Sequence, residues 1–207
     1  MLSSTLCSFG QPVRTGENEF GVNVYNVTRL NRYRIDFFTP RMDYNLLRGF
    51  IYKRHVNDDA LRIGFDYYSA PLKLESNGRS TQSEFYYGQE KLTEFRIGYE
   101  RNLSNSILQL YFSTDLLITN IQTGGHYATM GCVGGSEGYL HTKTKEIGIA
   151  SGMGLRYRAG KRFSISAETN ISLVYSQYTH VYKDTRVYRS LNSNFNPLRV
   201  LALSYRY

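Results

Sequence analysis

From residue 163 to 176 the chain reads FSISAETNISLVYS. Odd positions carry Phe163, Ile165, Ala167, Thr169, Ile171, Leu173 and Tyr175; even positions carry Ser164, Ser166, Glu168, Asn170, Ser172, Val174 and Ser176. A helix would spread both sets around its circumference, whereas a strand sends successive side chains to opposite faces. The segment therefore predicts a strand with one apolar and one polar face. Residues 146–158 repeat the pattern, with Ile147, Ile149, Met153, Leu155 and Tyr157 opposite Glu146, Gly148, Ala150, Gly152, Gly154, Arg156 and Arg158. The intervening Ala159-Gly160-Lys161 reads as a tight turn.

Six more segments alternate in the same way: residues 20–25, 44–55, 59–69, 92–101, 106–118 and 198–207. Between the eight predicted strands, three connections are short, around Asn57-Asp58, around 102–105 and around Ala159-Gly160. Four are long, at about 28–43, 70–90, 119–144 and 177–196. Long and short alternate strictly, which predicts a closed antiparallel up-and-down barrel with every short turn and both termini at one end.

Such a barrel can bury its apolar set in the interior, as a soluble carrier does, or present it to lipid. With the apolar set inside, Gly148, Ala150, Gly152 and Gly154 would form a bare stripe in water. With the apolar set outside, the stripe makes room in a crowded lumen for arginines and tyrosines of neighbouring strands. Arg62, Asp66, Arg96, Glu100, Asp115, Arg156 and Glu168 all share the polar phase, and Arg206 joins them in the last strand. An arginine or lysine on a lipid-facing surface near mid-membrane costs about 2–4 kcal/mol, so this segregation favours lipid outside and a luminal charge network inside. Tyr52, Tyr99, Tyr157, Phe163 and Tyr207 share the apolar phase toward the short-turn end, and Tyr44, Tyr67 and Tyr175 toward the other. The two sets predict aromatic girdles at two membrane interfaces. Arg48 breaks the pattern of its strand, and a bulge at Leu46-Leu47 is expected to turn it inward.

Composition sharpens this picture at a few points. The 207 residues show no linker or charge block and read as a single domain. Nineteen tyrosines and no tryptophan suit strands that meet an interface. The net charge of +8 is dispersed, which argues against a nucleic-acid partner. Cys7 and Cys132 form no metal-ligand spacing, so neither a metal nor another cofactor is expected. No run of 18 apolar residues exists, which excludes helical spans but leaves transmembrane strands of about 9–11 residues open. MLSSTLCSFGQ ends in small residues before Gln11. Residues 1–10 are read as the remnant of a secretory signal and 11–207 as the barrel domain, the alternative being an ordinary disordered N-terminus.

The repeated RIGFDY (62–67) and RIGYER (96–101), the strand topology and the closing LALSYRY resemble the small eight-stranded outer-membrane barrels of Gram-negative bacteria, the OmpA/OmpX-like group. The resemblance covers about residues 17–207 and is architectural. It implies that the last strand, with Leu203, Tyr205 and Tyr207, is read by the outer-membrane assembly machinery. It further implies periplasmic termini, extracellular long loops, a lumen plugged by charged side chains and a monomer in outer-membrane lipid.

Function is less determined. The first reading is a non-enzymatic structural or adhesion-like surface protein meeting an extracellular protein or glycan through its long loops. Residues 176–190, SQYTHVYKDTRVYRS, keep strand-like composition beyond the expected membrane edge, which fits either a protruding hairpin able to bind by strand addition or a twisted loop that only covers the barrel mouth. An outer-membrane lipid-modifying enzyme would need a serine or histidine constellation. His55 is placed near the short-turn end and His126, His141 and His180 in loops, with no such spacing among them. A small pore and a soluble lipocalin-like barrel complete the alternatives.

Overall fold

The computed structural model describes residues 16–26, 49–76, 82–104, 106–131, 134–182 and 184–207. Eight strands form one closed antiparallel barrel: β1 (Asn18–Asn26), β2 (Gly49–Val56), β3 (Asp59–Ser76), β4 (Gln82–Asn102), β5 (Leu108–Gly131), β6 (Gly134–Ala159), β7 (Phe163–Tyr182) and β8 (Asp184–Arg206). Each strand pairs with its sequence neighbours, and β1 closes on β8 through Phe20↔Tyr205 and Val22↔Leu203. Closure leaves no open edge in the paired region, so every ladder group there finds a partner without water.

The short turns use residues suited to them. Asn57 has φ 59° and Gly160 φ 86°, left-handed conformations that asparagine tolerates and glycine adopts freely. These turns share one end of the barrel with Gly16–Asn18 and Tyr207: Asn18 N donates to Tyr207 O (3.1 Å), and Gly16 N donates to His55 O (2.9 Å).

The strands are tilted. A row of paired residues followed from Gly21 through Ile51, Gly64, Arg96, Leu117, Gly148 and Val174 reaches β8 at Asn192. Gly21 itself pairs with Ser204, much nearer the short-turn end. Rows therefore climb toward the long-connection end from β1 to β8, as the stagger of a closed barrel requires.

Three features differ from the sequence expectation. Segments 70–90, 119–144 and 177–196, read as long loops, are largely paired strand. β5 and β6 stay in register from Leu108↔Tyr157 to Gly131↔Gly134, and β3 and β4 out to Ser76↔Glu84. His126, His141 and His180 consequently lie in strands rather than loops. Second, the register shifts between Asn23 and Tyr25, so Tyr25 pairs with Leu201 where unbroken alternation would pair Val24. Third, it shifts again in β8, where Pro197, Leu198 and Arg199 lie between Asn196↔Asn170 and Val200↔Glu168. Proline lacks the ladder donor and belongs at such an irregularity. The bulge expected at Leu46-Leu47, Arg48, Tyr44, Cys7, Cys132 and residues 1–10 lie outside the described residues.

Candidate functional site: luminal charges and an apolar outer face

The charged side chains of the barrel wall point inward through the belt and the large apolar ones outward, with a small apolar layer of Leu117, Ala150 and Val174 inside. In β4, Glu94, Arg96 and Glu100 are buried while Phe95, Ile97 and Tyr99 are exposed. In β6, Gly148, Ala150, Gly152, Gly154 and Arg156 point inward, and Ile147, Ile149, Met153, Leu155 and Tyr157 are about half exposed. One row of outward residues, Ile63–Ile97–Leu116–Ile149–Leu173, crosses five strands without a polar side chain.

Inside, Arg62 occupies the centre. Its guanidinium donates to both Asp115 oxygens, through Nε at 2.6 Å and through Nη2, and to both Glu168 oxygens, through Nη1 at 2.7 Å and Nη2 at 3.0 Å. A planar five-donor fork can serve two carboxylates in this way, whereas an ammonium cannot. Glu100 Oε2 lies 3.5 Å from Arg62 Nη1, which links this cluster to the next one down.

Toward the short turns, Glu100 accepts from Lys53 Nζ (2.7 Å) and from Arg156 Nη2. Lys53 and Arg156 both stand over the Tyr111 ring, at 5.3 and 4.9 Å from its centroid. Cations over an aromatic face gain most when they are desolvated, and here both are buried. The space for Tyr111 comes from Gly154, where an added Cβ would collide with the ring. Glu19 approaches His55 Nε2 (3.1 Å) and accepts from Arg206 Nη2 (3.2 Å), bringing the first and last strands into the same network.

On the other side of Arg62, Arg96 Nη2 donates to Asp66 Oδ2 (2.8 Å), whose second oxygen accepts from Asn23 Nδ2 (2.6 Å). Glu94 accepts from Arg199 Nη2 and from Thr119 Oγ1 (3.2 Å). Gly98 keeps this layer open, because a Cβ there would meet the Asp115 carboxylate. Charged groups shielded from water must be paired or they cost several kcal/mol each, and these pairs span every strand from β1 to β8.

The structure thus brings together Arg62, Asp66, Arg96, Glu100, Asp115, Arg156, Glu168 and Arg206, the candidate luminal residues, with Arg206 nearest the rim at 12 % exposure. Sequence reasoning missed Arg199, which shares the parity of Leu201 and Leu203 and should face outward. The β8 irregularity turns it inward, and Pro197 was the available signal. Lys53, Glu19, Glu94 and Tyr111 are also part of the network; each was readable from its strand's inward phase.

The candidate girdle residues divide along the outer face. Tyr157, Phe163 and Tyr207 lie exposed near the short turns, and Phe163 packs on Tyr205 with ring centroids 5.2 Å apart. Tyr52 donates its hydroxyl to Asn18 Oδ1 (2.7 Å). Tyr99 lies farther along its strand from the turns, and Tyr67 and Tyr175 mark the opposite edge. Leu203, Tyr205 and Tyr207 share one outward phase at the seam.

The chemistry that the described luminal residues bring together is electrostatic. His55 is enclosed with Glu19 in the lumen, and His126 packs edge-on against Tyr139 at 5.2 Å. Among the described residues no group of three or more His, Cys, Asp or Glu side chains could hold a metal ion.

No family model matches the chain, and no curated protein matches it. Solved structures that it resembles include the Escherichia coli outer membrane protein W determined by NMR. The two are 11 % identical with a TM-score of 0.42, covering 94 % of this chain and 98 % of that one. A major outer membrane protein from Thermus thermophilus matches at 11 % identity and a TM-score of 0.43, covering 92 % of this chain and 98 % of that one. The functional assignment of the eight-stranded barrel therefore rests on its own two faces.

Proposed function

We propose that this chain is an integral outer-membrane β-barrel that spans the bilayer with its apolar outer belt. Its lumen is occluded by ion pairs, and it acts as a non-enzymatic structural or surface-interaction protein. The observation that carries this reading is the inversion of faces: charges are buried and large apolar side chains are exposed all round. A monomer in water rarely exposes contiguous apolar patches beyond about 300–600 Å², and a belt crossing five strands of one row alone exceeds a scattered surface.

The dimensions agree with a bilayer. In β5 the outward run from Leu108 to Ile118 is apolar except for Thr114. At ~3.4 Å per residue and a tilt of ~40°, this run is ~25–30 Å tall, the height of an outer-membrane belt. Beyond it the outward phase becomes Asn120 and Gln122, and the paired β5–β6 hairpin continues on the order of 30 Å farther. The termini and short turns belong to the periplasmic side in this reading, and the extended hairpins reach outside the cell. The β7–β8 hairpin, with exposed Val187, Tyr188 and Leu191, is the surface for an extracellular protein or glycan. Leu203, Tyr205 and Tyr207 serve as the feature read by the assembly machinery.

Occlusion follows from size and charge. Eight strands enclose an interior that side chains just fill, and here the centre is held by Arg62 bridging Asp115 and Glu168. Planar-bilayer recording of the purified chain is expected to show no large, stable conductance. A steady open channel in the unmodified protein would contradict an occluded lumen.

A further inference from the structure

At the upper edge of the belt, charges of opposite sign separate onto opposite faces. In β4 and β6 the inward positions carry the buried acids Glu90, Glu94 and Glu146, whereas the outward ones carry Lys91, Lys143 and Lys145. Two successive outward rows make the arrangement plain. The first runs Tyr67–Thr93–Asn120–Lys145–Gln177–Arg189, and the second Ser69–Lys91–Gln122–Lys143–Thr179–Val187. They follow directly on the apolar row Phe65–Phe95–Ile118–Ile147–Tyr175–Leu191. Neither row contains a carboxylate. A hairpin face made only for solubility would mix signs, since like charges on neighbouring positions repel.

We propose that Lys91, Lys143, Lys145 and Arg189 form a rim site for the phosphate-bearing headgroups of lipids in the leaflet on the hairpin side. The site rests on the transmembrane reading above. Because rows climb from β1 to β8, Lys91 on β4, one outward step farther along its strand, comes to nearly the height of Lys145 on β6. Strands two apart lie about 10 Å from each other, and by the same climb Arg189 on β8 comes level with Lys143 rather than Lys145, so the cations form a lower pair, Lys91 and Lys145, and an upper pair, Lys143 and Arg189. Neutral Asn120, Gln122, Gln177 and Thr179 lie between them and supply donors to phosphate oxygens without competing charge. Phe95, Ile118 and Ile147 beneath Lys91 and Lys145 hold the acyl chains, and the long Lys and Arg stems reach from this edge to the interface where a lipid's phosphate lies.

The test uses the full chain folded into phosphatidylcholine vesicles with and without phosphatidic acid. Insertion is scored first by the mobility shift of unheated protein on gels. Lipid retained after mild detergent extraction is then counted by native mass spectrometry. The variant K91Q/K143Q/K145Q/R189Q should insert like the parent but retain phosphatidic acid at least about fivefold less, the contribution of even one cation near an anionic surface. R54Q/K161Q/R162Q, which removes exposed cations at the short-turn end, should retain it as the parent does. Equal retention by the rim variant, equal loss in the control, or full displacement of the lipid by inorganic phosphate would each overturn the rim site. Failure of the parent to enter phosphatidylcholine vesicles would instead overturn the transmembrane reading, and the rim site with it.

Discussion

Replacing Ile97 with arginine is expected to cost about 2–4 kcal/mol of folding free energy in a bilayer, read by urea titration of protein folded in phosphatidylcholine vesicles. Ile97 is 49 % exposed and lies between Ile63 and Leu116 in the middle of the apolar face. In water, so exposed a position would tolerate the change to within ~0.5 kcal/mol, because the new charge would be hydrated at once. Lipid offers no such hydration, and the guanidinium must snorkel or deform the bilayer. Gln89→Arg, on the same outward phase but above the belt, should cost only about 0–1 kcal/mol. The contrast between these two substitutions matters more than either value, since a barrel in water would treat them alike.

The second large effect lies inside. Arg62→Met leaves Asp115 and Glu168 facing each other without their shared cation, and a loss of about 3–5 kcal/mol is expected from the uncompensated charge. If charge is the cause, R62M/D115N/E168Q should recover most of that loss despite the further substitutions, because well-packed neutral groups commonly replace a buried ion pair at little cost. A triple variant as unstable as Arg62→Met would instead point to lost volume and shape. Equilibrium unfolding of the three proteins in one lipid separates the two causes. Glu100, 3.5 Å from Arg62, stays paired with Lys53 and Arg156 in each case, so the network below should persist.

The faces were legible in the sequence wherever they meet media of different polarity. On the proposed transmembrane reading a strand such as 163–176 lies between lipid and a polar lumen and must alternate, and its register follows from that contrast. On the same reading, both faces meet water past the belt. Segment 119–131, ITNIQTGGHYATMG from 118 onward, loses its apolar period while keeping its backbone pairing with β6. A hairpin held by main-chain bonds leaves little trace in side-chain pattern, which is why it read as a loop. The luminal set was legible by parity alone until parity failed at Pro197, where the extra residues of β8 brought Arg199 to Glu94. Which carboxylate each arginine would choose was not readable. Pairing in the lumen depends on strand stagger, which brings Arg62 of β3 to Asp115 of β5 and Glu168 of β7 across the interior.

The seam shows the same division. Alternation in LALSYRY set Leu203 outward and Ser204 inward, and β1 meets it through Phe20↔Tyr205 and Val22↔Leu203. The irregularity between Asn23 and Tyr25 has no counterpart in composition, because Val24 and Tyr25 are both acceptable strand residues on either face.

Contact of the exposed apolar face with lipid sets this barrel apart from a soluble one. It is tested most directly by placing a fluorophore on single cysteines at each position from 108 to 118, in a background where Cys7 and Cys132 are serine. Quenching is then measured in vesicles of brominated phosphatidylcholine. Strong quenching is predicted at Leu108, Leu110, Phe112, Thr114, Leu116 and Ile118, and weak quenching at Gln109, Tyr111, Ser113, Asp115 and Leu117, giving a period of two. Uniformly absent quenching, with the protein folded and monomeric in water, would contradict it.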